Sequence, residues 1–231
     1  MSEPVSVLHL TKTRWGGAGR TANRLHAILP QAGIRSRLVS TDDDRLDADA
    51  VGNDLRERMA TVLGTLRTSF GVAARALAGA GLRTDPRYGL ISLALLPSAW
   101  PRRLNAADAS IVHLHWINDE LLSIADIGRI RKPIVWTLHD QWPIAGARHY
   151  PSPGESGWSI ARQSSEFDAA SALPPTLRRV DAWVTERKRT HWPRNVSWVA
   201  PSEWMKGRVQ ESPFADNGPV TVIPNPIDSD M

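Results

Sequence analysis

Four stretches of the chain carry residue types whose spacing could do chemistry. Gly16-Gly17-Ala18-Gly19-Arg20 lets the backbone approach a ligand closely, and a helix starting there would offer free N–H groups to an anion. The spacing is neither Gly-x-Gly-x-x-Gly nor Gly-x-x-x-x-Gly-Lys-Ser/Thr, so dinucleotide and P-loop readings are weak; a tight turn without a ligand stays open. His139-Asp140 ends an apolar run, where an imidazole can serve as acid, base or donor to a ligand hydroxyl near neutral pH. A structural histidine bonded to backbone is the alternative there. His113 and His115 lie two apart and share one face of a strand; one is expected to pack inside while His115, nearer the end, lines the crevice with Trp116. No Cys and no carboxylate stands at a ligand spacing, so no metal site is expected. Ser202, after a further apolar run, completes the set.

These residues need elements to position them. Residues 5–10 read as a strand, the glycine run as a turn, and Ala22, Leu25, Ile28 and Leu29 as a helix stopped by Gly33. With a strand over 34–40 this is a βαβ unit, which implies a parallel sheet. Strands at 109–116, 134–138, 196–200 and 220–223 continue the alternation. Between them, Asn118 or Asp119 is expected to cap a helix carrying Leu121 to Ile130, and 177–191 a basic helix; Ser202 opens the last. Residues 41–108 read as an insertion: an amphipathic stripe from Met59 to Leu77, then a loop punctuated by Gly79, Gly81, Pro86, Pro97 and Pro101. The fold class is α/β, a Rossmann-like parallel sheet with helices on both faces, and the ligand crevice of such a sheet lies beyond the carboxyl ends of its strands. All four chemical stretches fall on such ends.

Composition bounds the function. A chain of 231 residues, 42% apolar, has the makings of a sizeable core, and with no cysteine it has neither disulfides nor thiolate metal ligands. No apolar run approaches the roughly 18–20 residues that span a bilayer, and the start lacks a signal-peptide pattern. The expectation is a soluble cytoplasmic protein, or one at the inner face of the membrane. Twenty-eight basic residues against 24 acidic give a net charge of +4, with acids crowded into 42–57. Arg187-Lys188-Arg189 reads as a solvated face, and without a nucleic-acid signature no nucleic acid is expected as partner. Of the ten Trp, core is the default reading; Trp116 and Trp142, beside the histidines, are the exceptions worth testing.

The ordered set Gly16-Gly17-Ala18-Gly19-Arg20, His113-Leu114-His115-Trp116, Val135-Trp136-Thr137-Leu138-His139-Asp140, Pro201-Ser202-Glu203-Trp204 and Ile223-Pro224-Asn225-Pro226-Ile227-Asp228 resembles the N-terminal half of a family 4 (group 1) glycosyltransferase, most closely the colanic-acid and exopolysaccharide type. The resemblance implies a GT-B arrangement: residues 1–223 as the acceptor-side domain, 224–231 as the start of an interdomain linker, and a donor-binding C-terminal domain lying beyond this sequence. It implies retaining transfer from a nucleotide-sugar to a saccharide or lipid-linked acceptor, with peripheral membrane contact and no essential metal. Carried over residue by residue, Gly16 and Gly17, with Arg20, match the loop at the donor phosphates. His139 matches the histidine near the reacting sugar. His115, Trp116, Asp140 and Ser202 are the expected sugar- and acceptor-side residues. The cysteines that such proteins often carry at about 146–170 are replaced here by Ala147, Arg148, His149 and their successors. Glu203 and Glu211 have the spacing of the family's paired glutamates but follow the wrong strand, and are read as a decoy. Alone, the chain is expected to turn over poorly or not at all. Two alternatives stand beside this: a non-catalytic carbohydrate-binding or partner module, and a nicotinamide dehydrogenase, which the glycine spacing and the lack of an acid at Ser40-Thr41 disfavour.

Overall fold

The structure is a computed structural model that describes residues 4–41, 89–150 and 174–227. Six strands, β1 (Ser6–Leu10), β2 (Arg35–Val39), β3 (Ile111–Leu114), β4 (Ile134–Thr137), β5 (Val196–Ala200) and β6 (Val220–Val222), form one sheet in the order β2-β1-β3-β4-β5-β6. Every pairing is parallel. All carboxyl ends therefore share one edge, as the sequence pattern requires. Helix α1 (Gly16–Ile28) links β1 to β2, and Gly33 ends the following 3-10 turn with φ 73°. Among the described residues the further α-helices are α2 (Trp100–Ala106), α3 (Ile124–Ile127), α4 (Pro175–His191) and α5 (Glu203–Glu211).

Register divides the sheet into two unlike faces. Leu8 and Leu10 pair with Val112 and Leu114, these with Ile134 and Trp136, and these with Val196 and Trp198. All eight are buried in the main apolar cluster. Val184 and Trp192, at α4 and its end, pack there; Trp192 lies 5.2 Å from Trp136 and 5.3 Å from Phe214, ring to ring. The other face carries His9 beside His113, with Leu38 flanking on β2. Helix α1 covers part of it: His26 Nδ1 lies 2.9 Å from Ser36 Oγ, and Ala22 is buried outside the main cluster. Helices thus lie on both faces.

Several local expectations are corrected. The glycine run is not a turn before a helix but the first turn of α1 itself, starting at Gly16. Residues 100–106, read as loop, form α2, because Pro101 sits at the first helical positions, where a missing N–H costs nothing. The cap after β3 is neither Asn118 nor Asp119. Ser123 caps the single turn of α3 in a reciprocal box with Asp126, while Asp119 and Glu120 take left-handed φ values of 61° and 59°. Ser202 caps α5 as expected, accepting from Met205 N. The stripe from Met59 to Leu77 lies outside the described residues. Among the described residues, no helix is long and apolar enough to cross a membrane.

Candidate functional site at the carboxyl edge of the sheet

The β4 exit supplies the imidazole. Beyond Thr137 the chain passes through buried Leu138, and His139 emerges half-buried. Its Nε2 lies 3.2 Å from His115 Nδ1, and His115 Nε2 lies 3.1 Å from His9 Nδ1. His113 pairs separately, its Nε2 2.8 Å from Thr137 Oγ1. Burial pushes His139 and His9 down to about 4, with Asp140 partly opposing at His139 and the charge of His26 reinforcing at His9. Burial first, and the neighbouring imidazoles second, hold His113 and His115 well below the usual histidine value. The four rings are therefore neutral at neutral pH. His115 does not line the crevice, as expected from its place near the strand end; at 2% exposure it is sealed behind His139.

His9, His113 and His115 bring one ligand nitrogen each within 4.8 Å of one another. The rings, however, are stacked or tilted by only 26° to 36°, with centroids 4.3–5.4 Å apart. Imidazole lone pairs lie in the ring planes, and a zinc ion needs nitrogens converging at about 2.0–2.1 Å. Such stacking favours hydrogen bonding from ring to ring over shared coordination.

Asp140, expected toward the ligand, turns inward. Its Oδ2 accepts from Trp116 Nε1 (2.9 Å) and His149 Nδ1 (2.6 Å), and its Oδ1 from Trp142 N (2.9 Å). His149 Nε2 in turn faces Ser92 Oγ at 2.8 Å. This hydroxyl–imidazole–carboxylate row has the distances of a hydrolytic triad, yet all three residues are sealed from solvent, so it acts as a strut. Trp142, flagged as a crevice candidate, is fully buried core, whereas Trp116 is half-buried. The same loop is fixed again where Asp181 accepts from Arg148 Nε (2.6 Å) and Ala147 N (2.8 Å). Lys188, expected on a solvated face, is buried and donates to the carbonyls of Trp142, Ala145 (2.9 Å) and Gly146 (2.8 Å). Burial holds its pKa well below the ordinary lysine value, with Asp181 and Asp140 pulling the other way. Three carbonyl acceptors match the three N–H donors of an ammonium, not the two of a neutral amine. Polar bonds to buried carboxylates and from a buried lysine thus hold residues 142–149.

The β1 exit supplies open backbone. Gly16 has φ +74°, which a side chain rarely tolerates, and beyond their chain neighbours and own helix backbone neither Gly16 nor Gly17 has an atom within 4 Å of where a Cβ would stand. Gly19 is different: its Cβ would lie 2.4 Å from the Thr13 carbonyl oxygen and from the Arg14 carbonyl carbon. One glycine of the run is thus demanded by packing, while Gly17 is demanded by nothing in the described structure. The first N–H groups of α1 have no intrahelical acceptor, and Arg20 stands exposed one turn on. Backbone bonds from Lys12 N to Trp116 O (2.7 Å) and from His115 N to Leu10 O (3.0 Å) tie this exit to that of β3. Ser202, exposed at the β5 exit, stands beyond β4 on the same edge. Exposed aromatic surface gathers there too: Trp15 (75%) precedes α1 and Trp204 (58%) lies in the first turn of α5.

Sequence reasoning missed His9, His149, Ser92 and Lys188. The signal for His9 was a histidine alternating with Leu8 and Leu10 in a strand; its partners became visible only with the register. Glu203 and Glu211 are exposed and pair with Lys206 and Arg208 on their own helix.

A parallel α/β sheet with its polar and glycine-bearing ends gathered on one edge defines a Rossmann-like domain, a fold in which ligands bind beyond the carboxyl ends of the strands. The chain matches the model of Glycosyltransferase Family 4 over residues 15–231. It belongs to that family, and its activity class is glycosyl transfer on sugar substrates. Comparison with curated proteins and with solved structures returns no match.

Proposed function

We propose that this domain forms the acceptor-side half of a GT-B glycosyltransferase of the colanic-acid and exopolysaccharide type. Transfer runs from a nucleotide-sugar to a saccharide or lipid-linked acceptor with retention and without an essential metal. The Gly16 and Gly17 amides and Arg20 take the donor phosphates: helix-end N–H groups and a guanidinium stabilise the negative charge that grows on the departing diphosphate. His139 faces the reacting sugar, with Trp116 and Ser202 on the acceptor side. Asp140 and His115 act from behind, orienting Trp116 and His139. The observation that carries this reading is the unfilled space over Gly16 and Gly17 on the same sheet edge as the half-buried His139.

Titration of the labelled chain with a panel of nucleotide-sugars, followed by amide NMR, tests it. The Gly16 and Gly17 resonances are expected to move together with those around His139. Movement confined to another region, or tight binding of NAD at these glycines, rejects the reading. In an active enzyme containing this domain, His139→Ala is expected to lower turnover by at least about tenfold, the low end for a group acting on the reacting centre.

A further inference from the structure

The three rings His139, His115 and His9 form a continuous chain of N···N hydrogen bonds running from the crevice into the sheet, with separations of 3.2 and 3.1 Å. Each link needs one proton between its two nitrogens. With neutral rings, one tautomer choice anywhere in the chain fixes every other.

The inner end makes that choice. His9 Nε2 is sealed from solvent and has no hydrogen-bond partner among the described residues. A proton there would leave an orphaned buried N–H, among the rarest and most costly arrangements in folded proteins; a bare nitrogen leaves only an under-used acceptor. His9 therefore carries its proton on Nδ1 and donates to His115 Nε2. His115 must then carry its proton on Nδ1 and donate to His139 Nε2. His139 is left with its proton on Nδ1, the nitrogen that has no partner among the described residues.

We propose that the His9–His115–His139 chain locks His139 in the Nδ1–H tautomer, so that it meets its ligand as a hydrogen-bond donor to an oxygen rather than as a base. His115 and His9 are positioning residues that act through it. The proposal deepens the glycosyltransferase reading and rests on it only for the ligand: the oxygen is a hydroxyl or phosphate oxygen of the nucleotide-sugar. His113 stacks on His115 at 4.3 Å but bonds to Thr137, and so stands outside the chain.

Ring nitrogen NMR of the full nitrogen-15-labelled chain at neutral pH, without ligand, is the test. His139 is expected to show a protonated Nδ1 and a bare Nε2, with coupling across the hydrogen bond to His115 Nδ1. A His139 protonated on Nε2, or on both nitrogens, overturns the proposal. His115→Phe keeps a flat ring against His113 but removes the donor, and is expected to release His139 into a tautomer mixture. His115→Gln, which retains an N–H donor of similar reach, is expected to restore the single form. Release without restoration, or an unchanged His139 in a folded His115→Phe protein, also overturns it; should a variant fail to fold, the unsubstituted chain decides alone. Because the readout needs no substrate, failure to bind nucleotide-sugars would reject the functional reading while leaving the tautomer assignment standing.

Discussion

The two faces of the sheet solve the same burial problem with opposite chemistry. One stacks Leu8, Leu10, Val112, Leu114, Trp136 and Trp198 into a dry layer that excludes water without directional bonds. The other buries His9, His113 and His115, which must pair with each other or with Thr137. Burying polar groups costs stability unless each finds a partner, so a row of imidazoles is a poor way to build a core. What it supplies instead is a defined hydrogen-bonding polarity leading to His139. The apolar face supports the fold; the histidine face, on the proposed reading, orients His139.

The largest break in that comparison comes from the apolar side, where one cation is buried under the aromatic layer. Lys188→Met removes the ammonium, 3.7 Å from the Trp142 ring centroid, and takes the lysine donor from the carbonyls of Ala145, Gly146 and Trp142, of which the last keeps its bond from Ala145 N. Chemical denaturation should show a loss of about 2–5 kcal/mol, from two buried carbonyls left unpaired at about 1–3 kcal/mol each. A loss under about 1 kcal/mol would mean that the carbonyls find other donors.

The histidine face should reveal itself in the pH dependence of stability. His9 titrates near 4 when folded against 6.5 in the unfolded chain. Between these values the unfolded state binds more protons, so stability is full above about pH 6.5 and falls as the pH drops toward 4. A displacement of this size is worth about 3 kcal/mol. Subtracting the profile of His9→Gln, which lacks this titration, isolates the term; identical profiles would show that His9 does not titrate as its burial demands.

The smallest expected effect separates the glycines. Gly19→Ala forces a methyl into the Thr13–Arg14 backbone and should cost about 1–3 kcal/mol. Gly17→Ala meets no atom and should change stability by less than about 0.5 kcal/mol while weakening nucleotide-sugar binding. Equal losses of stability would erase the distinction between a packing glycine and a ligand-facing one.

Legibility in the sequence followed the range of the forces involved. Strands, the Gly33 stop and the Ser202 cap depend on neighbours a few residues away, and the β5 strand appears at the residues expected, 196–200. The Lys188 burial was written in the helical period, since Leu177, Asp181, Val184, Thr185 and Lys188 line one side of α4; the flanking arginines drew attention to charge instead of phase. Asn118 and Asp119 look like cap residues, but Asp119 and Glu120 take left-handed φ values, and the Glu120 carboxylate accepts from Leu95 N and Leu96 N, 3.0 and 2.8 Å away, and so serves a segment distant in sequence. The histidine chain was illegible for a stronger reason: it joins positions separated by 106 and 24 residues, which only parallel register brings together.

The uneven placement of tryptophan gives the molecule its own optical reporter. Trp136, Trp142 and Trp198 are shielded from any dissolved quencher, whereas Trp15, next to Gly16, is open to it. Iodide should therefore extinguish emission from Trp15 and from the other exposed tryptophans, Trp183 and Trp204, while sparing the interior. A nucleotide-sugar seated over Gly16 and Gly17 would shield Trp15 and return part of that light, so occupancy can be followed by fluorescence without attaching a dye.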